Sequence, residues 1–159
     1  MQLIESNQIS DLKAIYSEDV ELVSVARTNS AAIEKLSRKL LETKNPIKLQ
    51  WVQRCEDREA SITQLPEAID KDLRSMLIDM IDESSATLGN LMRCSKIGVR
   101  LATLRSPMCP RFHVDQIPCR MIITMVGAGT EWIPNRGVKW SAFSDLSNDK
   151  APLNDSWAI

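Results

Sequence analysis

Ile97-Gly98-Val99-Arg100-Leu101-Ala102-Thr103-Leu104 marks a change in the texture of the chain. Ile97, Val99, Leu101 and Thr103 fall on one side of a period-2 pattern, and Gly98, Arg100, Ala102 and Leu104 on the other. Such alternation predicts a strand rather than a helix. Toward the C-terminus the strand texture continues. Pro107 and Pro110 punctuate it, residues 111–115 read as a short strand, Pro118 breaks that strand, and residues 120–126 form the strongest strand pattern in the sequence. Gly127-Ala128-Gly129-Thr130 predicts a turn, and Trp132-Ile133-Pro134 opens another extended piece.

Toward the N-terminus the spacing becomes helical. Ile69, Leu73, Leu77, Met80 and Ile81 make one apolar stripe, resumed at Leu88, Leu91 and Met92 beyond Ser84-Ser85. Pro66 is read as the first-turn residue of this longest helix, where a missing amide hydrogen costs nothing. Residues 54–64 read as a polar connection. Before them, Ile47, Leu49 and Trp51 alternate with Lys48, Gln50 and Gln53, which suits a half-buried strand. Asn29-Ser30 predicts a cap for a helix carrying Ile33, Leu36, Leu40 and Leu41, stopping near Asn45-Pro46. Residues 20–26 are β-branched and short, another strand. The order predicts an α+β fold, an N-terminal strand-helix-strand-helix region packed on an antiparallel sheet, in a single domain spanning residues 1–159.

Composition narrows the classes. A length of 159 residues with 43% apolar and 26% charged positions suits one compact domain and argues against disorder. The longest apolar run, residues 121–126, is interrupted by Thr124 and far short of the ~20 residues of a membrane-spanning helix. Residues 1–5 lack a basic stretch leading into an apolar core, so a cytoplasmic protein is expected. Residues 93–140 carry eight Lys/Arg against Asp115 and Glu131. That excess favours a small anionic co-substrate, or arginine stems covering the outside of a sheet. Nucleic acid is disfavoured, because Phe112 and Trp132 alone supply aromatic rings between residues 93 and 136.

A single histidine, His113, occurs in the sequence, which excludes metal sites built on two or three histidines from one copy. Cys55, Cys94, Cys109 and Cys119 include no CxxC pair, so Cys55 and Cys94 read as packed thiols. No GxSxG occurs, which removes the usual setting of a serine nucleophile. Gly127-Ala128-Gly129 lacks the third glycine and following helix of a phosphate loop and reads as a turn.

The chemistry-bearing stretch is Cys109-Pro110-Arg111-Phe112-His113-Val114-Asp115, followed by Cys119-Arg120. On a strand, residues two apart share a face, which would project His113 and Asp115 together. An imidazole nitrogen and a carboxylate oxygen so placed are two members of the two-histidine, one-carboxylate triad of non-haem iron enzymes. Two other readings of the same residues stand beside this one. His113 and Asp115 can be a structural hydrogen-bonded pair in a non-catalytic or regulatory domain, or Cys109, His113 and Cys119 can hold zinc.

That stretch, with Arg120-Met121-Ile122-Ile123-Thr124 and Gly127-Ala128-Gly129-Thr130-Glu131-Trp132, resembles a bacterial family classed as domain of unknown function 1826. The likeness is dense over residues 101–135 and looser toward the N-terminus. It implies a double-stranded β-helix of the cupin or jelly-roll kind, related to iron/2-oxoglutarate oxygenases, and a context of zinc homeostasis. By position it implies His113 and Asp115 as metal ligands, with Arg120 and Arg111 as residues drawing the anionic co-substrate. The implied cofactor is Fe(II) with 2-oxoglutarate, or Zn(II). The family pattern places a second histidine on a later strand beyond a segment like Trp157-Ala158-Ile159. The β-helix is therefore expected to be incomplete, and the sequence to be C-terminally truncated relative to its family. Glu131, Cys119 or a neighbouring subunit are then the candidates to complete the site, and an unclosed sheet edge invites a homodimer.

Overall fold

The computed structural model describes residues 2–42, 46–67, 69–106, 108 and 112–141. The protein divides into two compact units: Met1–Thr28, Pro107–Arg120 and Gly129–Ile159 form one, Asn29–Ser106 and Met121–Ala128 the other.

The first unit contains strands β1 (Gln2–Ser6) and β2 (Val20–Val25), which pair in parallel. A parallel pair needs a crossover of about a dozen residues, and the 3₁₀ helix Ile9–Tyr16 supplies most of it. The Ser6 hydroxyl donates to the Asp11 carboxylate at the start of that crossover. Farther along the sequence, a 3₁₀ turn at Asn135–Gly137 is held by the Asn135 amide donating to Glu21 Oε2 at 3.0 Å.

The second unit holds the apolar core. Helix α1 (Ala31–Glu42) is capped by the Ser30 hydroxyl, which accepts from the Ile33 amide at 3.2 Å, and buries Leu36 and Leu40. Strand β3 (Lys48–Arg54) pairs antiparallel with β4 (Lys96–Ala102), in a register that sets Leu49 opposite Leu101, Trp51 opposite Val99 and Gln53 opposite Ile97. Between the strands come α2 (Arg58–Gln64) and α3 (Lys71–Met92). Leu65, Ile69, Leu77, Ile78, Met80 and Ile81 pack with Leu36, Leu40 and Trp51 into one cluster, against which Met125 also rests. The Asn29 amide group donates to the Met125 carbonyl at 2.8 Å.

The α+β class is as the sequence implies, with several elements placed differently. α3 begins at Lys71 rather than at Pro66, because the Asp70 carboxylate accepts from the Leu73 amide and caps the helix there. Pro66 instead closes a turn in which the Ile69 amide donates to its carbonyl. Ser84-Ser85 does not interrupt α3: the Ser84 hydroxyl bonds back to the Met80 carbonyl at 2.6 Å and the helix runs through. The expected polar connection contains α2, a helix too short and too polar to show an apolar stripe, capped by Asp57. Residues 112–115 and 120–126, expected as strands, belong to no ladder among the described residues. Strand preference is realised only where another backbone offers hydrogen bonds and a packing face. The described sheets have two strands each, one parallel and one antiparallel, and a double-stranded β-helix is not among them. Among the described residues no helix is long and apolar enough to cross a membrane.

Candidate functional site

His113 and Asp115 lie in an irregular segment of the first unit, yet they converge as a shared strand face would have required. His113 Nε2 stands 3.3 Å from Asp115 Oδ1. On the far side of the carboxylate, Arg120 Nε reaches Oδ2 at 3.0 Å. Asp115 is therefore held between an imidazole and a guanidinium, one oxygen to each. Pro118 helps explain how a five-residue separation closes into this contact, since a proline redirects an extended backbone. The three side chains remain accessible, at 52% for His113, 34% for Asp115 and 47% for Arg120. An ion pair this exposed is worth at most about 1 kcal/mol, so stability alone gives a weak reason for the arrangement.

The N···O separation can be compared with coordination chemistry. Two ligands bonded to one ion at ~2.1 Å and meeting at roughly 100° lie about 3.2 Å apart. The 3.3 Å observed between Nε2 and Oδ1 matches that span. Arg120 occupies the outer position that partners of ligating carboxylates commonly take. Among the described residues, however, no group of three or more His, Cys, Asp or Glu side chains is placed to hold a metal ion. Cys119 and Glu131 therefore do not complete a cluster, while Cys109 and Arg111 lie outside the described residues.

Two features of the second unit escaped the sequence reading. A cleft of about 140 Å³ opens between α3, β4 and residues 121–123, walled chiefly by Met80, Ile81, Leu88, Ile97, Met121 and Ile123. Its lining includes none of His113, Asp115 or Arg120. A buried polar network links β3, α2 and α3: the Trp51 indole donates to Gln53 Oε1 at 2.6 Å, and Gln53 Nε2 donates to Ser85 Oγ at 3.4 Å. The Ser61 hydroxyl stands 3.1 Å from that Gln53 oxygen and 2.8 Å from Asp82 Oδ1. Arg58 closes the network at the surface through Asp82 and Asp79, and the hydrogen bond to Asp79 pushes the guanidinium's pKa further up. The strand phase was the available signal, since Gln53 is two residues from Trp51 and must share its face.

A family model described as Protein of unknown function (DUF1826) matches residues 6–156. The protein belongs to that family. No curated protein and no solved structure matches it. Membership covers both units, including every residue of the His113–Asp115–Arg120 arrangement, and its description names no activity.

Proposed function

We propose that this is a metal-binding protein, with His113 Nε2 and Asp115 Oδ1 as two ligands of a divalent transition-metal ion and Arg120 holding the carboxylate's second oxygen. The observation that carries the reading is the 3.3 Å convergence of a neutral-capable nitrogen donor and an anionic oxygen donor at accessible positions. Of the candidate ions, Zn(II) suits this donor set better than Fe(II) with 2-oxoglutarate. Zinc accepts mixed nitrogen, oxygen and sulfur ligands, and water, Cys109 or a second copy supply the remaining positions. The oxygenase-like version, in an incomplete double-stranded β-helix, requires two histidines around the iron, and the 159 residues hold one. It also asks Arg111 or Arg120 to draw the 2-oxoglutarate carboxylate, whereas Arg120 Nε is already engaged by Asp115. A homodimer through the outer edge of either two-stranded sheet belongs to the same proposal, as the source of ligands from a second copy.

Equilibrium dialysis of the chelator-free full-length protein against Zn(II), with metal counted by mass spectrometry, tests the reading. His113→Ala and Asp115→Asn should each weaken binding at least tenfold, and the metal-to-protein ratio separates a site within one copy from one shared by two. Unchanged affinity in both variants overturns it. A second reading is favoured by Arg120, whose contact already satisfies the carboxylate without a metal. In it the three residues pin the irregular segment of a non-catalytic, regulatory domain, and Asp115→Asn lowers the melting temperature with no change in metal content.

A further inference from the structure

Cys55 follows the last residue of β3, and its amide donates to the Ser95 carbonyl at 3.1 Å, continuing the β3–β4 pairing by one step. Cys94 lies in the connection from α3 to β4, just after Arg93, which ends the helix in the left-handed region at φ 50°. The Cys94 amide donates back to the Gly89 carbonyl at 3.0 Å. These two backbone bonds bring together cysteines 39 positions apart in the sequence. The Cys55 thiol lies 3.1 Å from the Cys94 carbonyl oxygen, which places the two residues side by side. Gly89 makes the room: a Cβ added there would lie 2.3 Å from Cys55 Sγ. Cys94 is exposed and Cys55 half-buried, so solvent reaches the pair from the Cys94 side.

We infer that Cys55 and Cys94 are a dithiol modification site, oxidised by a hydroperoxide to an intramolecular disulfide that staples the end of β3 to the α3–β4 connection. In the first step the exposed Cys94 thiolate attacks the peroxide. An S–O bond forms, the O–O bond breaks, and the leaving oxygen takes a proton to depart as water or alcohol, which leaves a sulfenic acid on Cys94. In the second step Cys55, deprotonated, attacks the Cys94 sulfur. The S–S bond forms, the S–O bond breaks, and the departing hydroxide takes up the proton released by Cys55. Two thiols lose two electrons and one peroxide gains them. Partial burial and then the neighbouring Cys94 sulfur push the Cys55 thiol above its ordinary value, so the second step quickens as pH rises toward it.

The test treats the reduced full-length protein with hydrogen peroxide and maps its peptides without reduction. The expected product is one linked pair containing Cys55 and Cys94, two hydrogens lighter than the reduced peptides, formed equally in Cys119→Ser. In Cys55→Ser, dimedone should trap a sulfenic acid at Cys94. In Cys94→Ser, Cys55 should stay reduced at least tenfold longer than in the parent. The oxidised protein should melt several degrees above the reduced one. Linkage of Cys55 to Cys109, Cys119 or another molecule overturns the inference, as does a free Cys55–Cys94 pair at a peroxide excess that oxidises Cys119.

Discussion

Replacing Gln53 isolates the buried polar network. Gln53 is 3% exposed, Ser61 0% and Ser85 3%, so water cannot take over any bond that is lost. The side-chain amide accepts from the Trp51 indole and donates to Ser85, while Ser61 gives its single proton mainly to the charged and nearer Asp82 oxygen. Each lost bond costs about 1 kcal/mol net, and a buried donor left without an acceptor costs about 1–3 kcal/mol. Gln53→Met keeps the length of the side chain but strands the Trp51 N–H, so it should destabilise by about 2–4 kcal/mol. Trp51→Phe removes the donor and should cost about 1–3 kcal/mol through lost packing. The double variant no longer has an orphaned indole, and it should be more stable than the two single costs added together by about 1–2 kcal/mol. Urea denaturation followed by far-ultraviolet circular dichroism measures all four proteins. Costs that simply add, within about 0.5 kcal/mol, would show that Gln53 and Trp51 are not coupled and would refute this reading of the core.

Leu77, fully buried in the first half of α3, should cost about 3–5 kcal/mol as Leu77→Ala in the same denaturation experiment. Arg93→Gly relieves a non-glycine residue of its left-handed backbone at the end of α3 and should stabilise by about 0.5–1 kcal/mol, read as a raised urea midpoint. Gly127→Ala meets no steric neighbour but has φ +86°, so backbone strain alone should lower stability by about 1 kcal/mol.

Helices α1 and α3 and the individual strands β3 and β4 were legible because each has a periodic apolar face: Leu36 and Leu40 in α1, Leu77 and Ile81 in α3, Leu49 and Trp51 in β3, Val99 and Leu101 in β4. Phase was harder to read than period. Grouping Gln53 with the outward residues conflicts with its place two steps from Trp51, and the structure instead turns Val52 outward at 69% exposure, above Gly98. The parallel pairing of β1 with β2 left no trace, because β1 is five residues long and mostly exposed. Residues 120–126 show the opposite failure. Their β-branched composition is strong, but Met125 reaches the core from a backbone outside any described ladder. Only the contact between two side chains was legible, and not the irregular backbone that carries them. The spacing of His113 and Asp115 anticipated their convergence, while the cysteine pair depended on the β3–β4 register, which sequence separation hides.

In the proposed zinc site, Arg120 would set two contributions to metal binding against each other. By hydrogen-bonding Asp115 Oδ2 it fixes the carboxylate in the orientation that exposes Oδ1 to His113. It also places a positive charge within about 6 Å of an ion bound by those two atoms, where a divalent cation in water is repelled by about 1.4 kcal/mol, a factor of about ten. Physiological salt screens roughly half of that. The orientation is retained if the guanidinium is replaced by a neutral donor, so Arg120→Gln should tighten Zn(II) binding about tenfold at low ionic strength and about threefold at physiological salt. Equilibrium dialysis at the two salt concentrations measures both numbers. Weaker binding in Arg120→Gln, with no dependence on salt, would mean that the guanidinium is indispensable to the carboxylate's geometry and that the charge accounting is wrong.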